Sequence, residues 1–149
     1  MLDSLKKIAI GSDHAGFILK EYLKEYLQKE QYSVTDFGTF SEESMDYPDP
    51  VHPLALAVNN IEFEWGVIIC GSGNGVAMVA NKYPKVRAAV CWSREIVKLA
   101  RQHNDANIIS LPARFISREQ AIEFLQLFLT TDFEGGRHQR RVEKISQIL

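Results

Sequence analysis

Short apolar runs alternate with longer amphipathic stretches along the chain, and this alternation limits the possible folds more than any other feature. The apolar runs predict strands, because they are short and end at glycine or polar residues. The longer stretches repeat apolar residues at helical spacing. Strands are predicted at residues 7–10, 32–37, 65–70, 86–91 and 107–111. Helices are predicted at residues 17–27, 54–60, 76–81, 94–102, 117–129 and 137–149.

Continuous apolar strands that alternate with helices are typical of a parallel sheet with helices on both faces. We therefore predict an α/β protein with a single domain over residues 1–149. Its core is a three-layer α/β/α, Rossmann-like, doubly wound parallel sheet of about five strands, with an additional C-terminal helix. Residues 39–53 are polar and hold three prolines, which predicts a long loop with Pro53 opening the next helix. Ligands of such sheets lie outside the carboxyl ends of the strands, so the segments there are the first place to look for a site.

Charge and cysteine content exclude several classes of protein. The 149 residues include 17 basic and 19 acidic side chains, and a formal net charge of -2 argues against a nucleic-acid binder. No apolar run approaches the roughly 18 to 20 residues of a membrane span. Residues 1–7 lack a signal-peptide pattern, so we expect a cytoplasmic protein that makes no membrane contact. Cys70 and Cys91 are too few for a disulfide framework and suit a reducing compartment.

A glycine-rich loop follows the third predicted strand and reads Gly71-Ser72-Gly73-Asn74-Gly75. Three glycines let backbone amides turn toward an anionic ligand, and the next helix adds its positive N-terminal end. The same glycines could serve only a tight turn between strand and helix. The loop is not a dinucleotide fingerprint, because Val76 stands where the third glycine is needed. Residues 11–16 have phosphate-loop glycine spacing but lack the Lys and Ser or Thr that must follow.

Cys70 ends the third strand immediately before this loop. A thiolate at that position would be stabilised by the N-terminus of the next helix. The alternative is a small core residue, and we favour that alternative for Cys91, which lacks a glycine loop. A cysteine-dependent phosphatase is excluded, because Val76 occupies the place of its arginine.

Three polar residues near strand or helix ends could carry proton chemistry. His14 and His103 are candidates for proton transfer near neutral pH. Asp13 could orient a neighbour, bind a sugar hydroxyl or cap the helix that follows. The four histidines show no metal-binding spacing and the two cysteines are far apart, which predicts a site without metal.

Arg137 and Arg141 share one face at the start of the last helix, where positive charge opposes the helix dipole. A phosphate would satisfy both side chains through charge-assisted hydrogen bonds. The alternative is a solvated basic face partly paired with Glu134 or Glu143.

Six motifs in this order are together highly specific, and through them the chain resembles the ribose-5-phosphate isomerase B family. That family also includes the galactose-6-phosphate and allose-6-phosphate isomerases. The motifs cover nearly the whole chain and lie at residues 8–17 (IAIGSDHAGF), 46–49 (DYPD), 69–75 (ICGSGNG), 80–82 (ANK), 101–107 (RQHNDAN) and 133–142 (FEGGRHQRRV).

The resemblance implies an aldose–ketose isomerase that needs no metal or cofactor. Its reaction interconverts ribose 5-phosphate and ribulose 5-phosphate through an enediolate, in the non-oxidative branch of the pentose phosphate pathway (EC 5.3.1.6). Cys70 would be the base that moves a proton between C1 and C2, and His103 would open the sugar ring with help from Asp13. The amides of residues 71–75, with the Ser72 hydroxyl, would hold the enediolate oxygens. The remaining substrate-binding residues implied by the family are His14, Tyr47, Asn104, Arg114, Arg137 and Arg141.

The resemblance also implies a homodimer, or a tetramer, in which two subunits build each site and the C-terminal arginines reach the neighbour's pocket. One branch of the family uses a glutamate of the glycine loop as the base. The equivalent position here is Val76, so this chain resembles the cysteine branch. The alternative functions are an isomerase of a six-carbon sugar phosphate and a phosphosugar-binding module without catalysis.

Overall fold

The computed structural model describes residues 5–148, which form five strands and six helices. Residues 1–4, which belong to the segment without a signal-peptide pattern, lie outside the described residues. The strands are β1 (Lys7–Ser12), β2 (Ser33–Asp36), β3 (Trp65–Cys70), β4 (Ala88–Val90) and β5 (Ile108–Pro112). The helices are α1 (Phe17–Lys29), α2 (Pro48–Asn59), α3 (Asn74–Ala80), α4 (Arg94–Gln102), α5 (Arg118–Thr130) and α6 (Arg137–Lys144).

The described strands form one parallel sheet in the order β2-β1-β3-β5-β4. Helices α1, α4 and α5 pack on one face of this sheet, and α2 and α3 pack on the other. The chain therefore leaves β1 toward one face and β3 toward the opposite face. This confirms the predicted three-layer architecture with helices on both faces and a further helix at the C-terminal end.

Two apolar clusters hold the layers together, because successive strand side chains point to opposite faces. Ile8 and Ile10 enter the larger cluster, under α1, α4 and α5, whereas Ala9 enters the smaller one, under α2 and α3. Cys91 lies in the larger cluster with no exposed surface, and burial raises the pKa of its thiol to about 12. Cys91 is therefore a core residue, as predicted. Among the helices of residues 5–148, none is both long enough and apolar enough to span a membrane.

The prediction of a loop through residue 53 is wrong for its last six residues, because α2 begins at Pro48. A proline in the first turn of a helix sacrifices no hydrogen bond, since the first four amides have no partner within the helix. Pro53 lies inside the helix and removes one donor. Burial of the helix face that carries Val51, Leu54 and Val58 against the sheet compensates for that loss.

Other element boundaries also differ from the predictions. Strands β2 and β4 are shorter than predicted, because they lie at the two edges of the sheet and pair on one side only. Helix α3 begins two residues earlier than predicted, after Gly73 in a left-handed conformation. Helix α6 ends at Lys144 rather than at residue 149, and none of its residues is buried against the core.

We expect Gly16→Ala to lower the free energy of unfolding by about 1–3 kcal/mol, the usual cost of overpacking. A Cβ on Gly16 would lie 2.8 Å from both Cγ2 and the carbonyl oxygen of Ile69, so α1 would have to move away from β3. Gly11→Ala is the matched control, because its Cβ would meet a movable methyl group of Leu54 at 3.1 Å and would lie farther, at 3.3 Å, from the Gly38 carbonyl oxygen. Urea unfolding of both variants measures the difference, and equal losses would contradict this account.

Candidate active site

A cavity of about 490 Å³ lies at the carboxyl end of the sheet, beside the ends of β1 and β3. The chain leaves these two neighbouring strands toward opposite faces, which is where doubly wound sheets bind ligands. The cavity is lined by Asp13, His14, Ala15, Tyr47, Cys70, Gly71, Ser72, Gly75, Arg114 and Phe115. The structure therefore brings together most residues of the first half of the predicted site.

Cys70 is the last residue of β3 and keeps 6% of its surface exposed, within this cavity. The amide of Gly73 donates a hydrogen bond to Cys70 Sγ over 3.1 Å. Gly73 reaches that position because it adopts φ +78°, which glycine tolerates, and because its carbonyl accepts the Ser110 hydroxyl at 2.6 Å. The loop thus directs a backbone donor at the sulfur, which stabilises negative charge there.

Asp13 and His14 follow β1 and face the same cavity. Asp13 Oδ1 accepts the Gly16 amide at 3.0 Å, so the carboxylate caps the turn into α1 and also lines the cavity. His14 Nδ1 accepts the Met45 amide at 3.2 Å. A neutral His14 then carries its proton on Nε2, from which it can donate to a ligand.

Two glycines of the loop allow larger side chains to approach closely. A Cβ on Gly75 would lie 2.8 Å from Cζ of Tyr47, and a Cβ on Gly71 would lie 3.2 Å from Nη1 of Arg114. Tyr47 and Arg114 therefore close the cavity over the loop. Gly73 and Asn74, which were also predicted to bind substrate, do not line the cavity.

The second half of the predicted site lies at the amino end of the sheet. Helix α4 runs back from the carboxyl end, and His103 caps its C-terminus. Arg101 lies two residues before His103, and its guanidinium carbon is 4.6 Å from the Trp65 ring centroid. Trp65 begins β3 and Cys70 ends it, and that length of strand spans about 16 Å. Within one chain, the predicted proton donor and the predicted base are thus separated by the length of the sheet.

His103 stacks on His138 of α6, with ring centroids 4.2 Å apart and an angle of 12° between the planes. His103 Nε2 lies 3.5 Å from Glu134 Oε1. Desolvation and the nearby His103 and Arg137 charges hold the pKa of His138 below its ordinary value. His103, Glu134 and His138 could each offer one atom to a metal ion, and these three atoms lie within 4.8 Å of one another. The stacked histidine rings, however, direct their nitrogen lone pairs along nearly parallel planes. One ring would have to leave the stack before both could bind the same ion.

Asn104 directly follows His103, and Arg137 and Arg141 lie before and after His138 on α6; all three residues are exposed. Glu134 and Glu143, the carboxylates considered as partners of the arginines, contact other side chains instead. Glu134 lies beside His103, and Glu143 accepts a hydrogen bond from the side-chain amide of Gln139 at 2.9 Å. The two guanidinium groups therefore retain their capacity for an anionic ligand.

The sequence analysis missed two residues, one at the cavity and one buried beneath α1. Phe115 lines the cavity with 74% of its surface exposed, and its place after β5 could have indicated this. Lys20 is fully buried and pairs with Asp36 at 2.5 Å. Its helical spacing from Leu23 and Leu27 could have indicated this inner position. Burial raises the pKa of Asp36, but hydrogen bonds from Lys20, the Gly38 amide and Lys24 outweigh burial and lower it below the ordinary value.

The family model described as Ribose/Galactose Isomerase matches residues 8–145 of this chain. A relative from Escherichia coli K12, named ribose-5-phosphate isomerase B, is 43% identical over 144 residues, which is 97% of either chain. The crystal structure of a ribose 5-phosphate isomerase from Thermotoga maritima is 46% identical with a TM-score of 0.94, and the match covers 96% of this chain and 99% of that one. A Mycoplasma genitalium ribose-5-phosphate isomerase B with bound ribulose 5-phosphate is 42% identical with a TM-score of 0.90, covering 95% and 94%.

Proposed function

Since the chain belongs to the ribose/galactose isomerase family, we propose that it interconverts ribose 5-phosphate and ribulose 5-phosphate. The observation that carries this function is the Cys70 thiol, which lines a cavity at the switch between β1 and β3 and accepts the Gly73 amide. The similar protein from Mycoplasma genitalium holds ribulose 5-phosphate. The names of the Escherichia coli and Thermotoga maritima proteins favour the five-carbon substrate over the six-carbon alternative.

Isomerisation requires a base beside the reacting carbons and donors for the oxygens that become negative. Cys70 Sγ, as a thiolate, takes the C2 proton of the open-chain aldose and returns it to C1. The proton on O2 moves to O1, so the aldehyde becomes an alcohol and the C2 alcohol becomes a ketone. Backbone amides of residues 71–75 and the Ser72 hydroxyl stabilise the enediolate between these steps.

The other residues open the sugar ring and hold the phosphate. His103 donates a proton to the ring oxygen, and Asp13 accepts the proton of the C1 hydroxyl. His14 and Arg114 bind the phosphate from the side of the cavity. Arg137 and Arg141 add two guanidinium groups, which suit a phosphate. Asn104 contacts the sugar and Tyr47 closes the pocket. Binding energy from the phosphate orients the reacting carbons.

One complete site requires two subunits, because the two sets of residues lie at opposite ends of the sheet within a chain. The thiol half-site comprises Asp13, His14, Tyr47, residues 70–75 and Arg114. The imidazole half-site comprises His103, Asn104, Arg137 and Arg141. In a symmetric homodimer each subunit gives its imidazole half-site to the partner's thiol half-site, which makes two equal sites. A tetramer would pair two such dimers, and residues 1–149 act as one domain in each subunit.

The activity is tested with purified protein that has been treated with a chelator and assayed on ribose 5-phosphate near neutral pH. We expect ribulose 5-phosphate to form, and in heavy water we expect deuterium to enter the sugar at the exchanged carbon. Allose 6-phosphate and galactose 6-phosphate serve as comparators and should react more slowly. Binding without deuterium exchange would instead identify a phosphosugar-binding module, and the isomerase proposal would be wrong.

The shared site predicts that two inactive variants complement each other. A heterodimer of a Cys70→Ala subunit and a His103→Ala subunit contains one intact Cys70 facing one intact His103. With two different affinity tags and sequential purification, this heterodimer should show about half the activity of the wild-type dimer. Each variant homodimer should be inactive. A heterodimer as inactive as its parents would mean that both residues act within one chain, which would contradict the shared site.

A further inference from the structure

Arg101 is a buried cation that lies two residues before His103 and does not belong to either half-site. Only 6% of its surface is exposed. Its Nη1 donates to Asp105 Oδ1 at 2.9 Å and to the Ala106 carbonyl at 2.7 Å, and its Nε donates to the Thr131 carbonyl at 3.0 Å. The guanidinium thus joins the end of α4, the turn before β5 and the segment after α5.

Two aromatic rings of the core fix the plane of this guanidinium. Its central carbon lies 4.6 Å from the Trp65 ring centroid and 5.8 Å from that of Phe128, and the two rings meet edge to face at 5.2 Å. A planar fork can stack and donate in several fixed directions at once, whereas a lysine ammonium is a point charge on a flexible stem. The arrangement is therefore specific to arginine.

The segments that Arg101 joins are those that carry the imidazole half-site. The Glu134 amide donates to the Gln102 carbonyl at 3.0 Å, and His138 stacks on His103. Thr131, which accepts from Arg101, begins the strap of residues 131–136 that leads into α6. Asp105 has φ +48°, an unfavourable conformation for a non-glycine residue, and both Arg101 and Arg87 bind it.

We propose that Arg101 is the positioning residue of the imidazole half-site. By binding both the turn after α4 and the strap before α6, it sets the position of His103 and Asn104 relative to Arg137 and Arg141. It thereby sets the spacing between the proton donor and the phosphate clamp that one subunit presents to its partner. This inference deepens the proposed function and rests on the shared site.

We expect loss of Arg101 to lower the rate of catalysis, although Arg101 itself does not contact the substrate. A displacement of about 1 Å in a catalytic group costs about 100-fold in rate, so we expect Arg101→Met to lower kcat/KM by about that factor. Arg101→Lys should not restore the rate, because the ammonium cannot reproduce the stacked fork. Asp105→Asn removes the charge that Arg101 binds but suits the left-handed conformation, and it should produce a smaller loss of the same kind.

Heterodimers distinguish a positioning role from general damage, because the proposed defect lies in the half-site that is given away. Paired with Cys70→Ala, an Arg101→Met subunit supplies an intact Cys70 and receives an intact imidazole half-site. That heterodimer should recover about half of the wild-type activity. Paired with His103→Ala, the same subunit supplies the damaged half-site to the only Cys70 that faces a His103, so activity should be about half that of the Arg101→Met homodimer.

Lys20→Met is the matched control, because Lys20 is also buried but lies on the thiol side. Lys20 binds Asp36, which accepts the Gly38 amide, and the Gly38 carbonyl accepts the Ser12 amide next to Asp13. If Lys20→Met lowers activity, a heterodimer with a His103→Ala subunit should therefore recover it, whereas a heterodimer with a Cys70→Ala subunit should not.

The two levels of inference fail in different ways. If Cys70→Ala and His103→Ala do not complement each other, the shared site is wrong. If they do, but Arg101→Met is rescued equally by both, or if it keeps wild-type activity, the positioning role is wrong. If Arg101→Met does not assemble, Asp105→Asn is used in the same two heterodimers, and rescue by Cys70→Ala alone is again the supporting result.

Discussion

Replacing Cys70 with alanine should lower kcat for ribose 5-phosphate by about 10² to 10⁴, the range that a positioned general base contributes. The side chain lines the cavity and accepts a hydrogen bond from the Gly73 amide. Cys70→Ser should be almost as inactive, because a hydroxyl is a far weaker base than a thiolate near neutral pH. KM should change little, since the phosphate contacts remain.

Deuterium exchange into the sugar measures the chemical step directly and should fall with kcat. Cys91→Ala is the matched control, because Cys91 is the other cysteine and is sealed in the core under α1, α4 and α5. This variant should lose some stability and keep its exchange rate. Thermal unfolding of Cys70→Ala confirms that the fold persists. Exchange near the wild-type rate in a folded Cys70→Ala would show that another group is the base.

The double replacement Arg137→Ala/Arg141→Ala should lower kcat/KM for ribose 5-phosphate by about 10² to 10⁴. A hydrogen bond to a charged group contributes about 1.5–3 kcal/mol, and 1.4 kcal/mol corresponds to about tenfold. Both side chains are exposed on α6, and the carboxylates nearest in sequence contact His103 and Gln139 instead.

Arg140→Ala is the control for loss of positive charge on α6, because Arg140 lies on the same helix but outside the proposed clamp. It should change kcat/KM far less. Any slow reaction with D-ribose, which has no phosphate, should be the same in the wild type and in the double variant. A similar loss with D-ribose would mean that the arginines support the fold of the half-site and do not bind phosphate.

Much of the fold could be predicted because local pattern and burial coincide in its central strands. Strand β3 is apolar throughout, and β1 is apolar at residues 8–10, because helices cover both faces of these strands. Their predicted positions agree with the structure to within two residues. Helix α2 was placed too late because its prolines indicate a loop locally, whereas packing of Val51, Leu54 and Val58 on the sheet determines where the helix begins. Lys20 was missed for a related reason, since its charge indicates a surface position, whereas its pairing with Asp36 at the end of β2 allows it to be buried.

The sequence by itself determined which residues can carry the chemistry and which kind of sheet presents them, because both depend on residue type and local periodicity. Tertiary structure alone decided that these residues form two sets. Strand order brings the ends of β1, β3 and β5 together around Cys70, and the return path of α4 carries His103 to the other end of the sheet. Which strand and helix ends lie together depends on long-range packing across the sheet, and the local sequence pattern does not determine that packing.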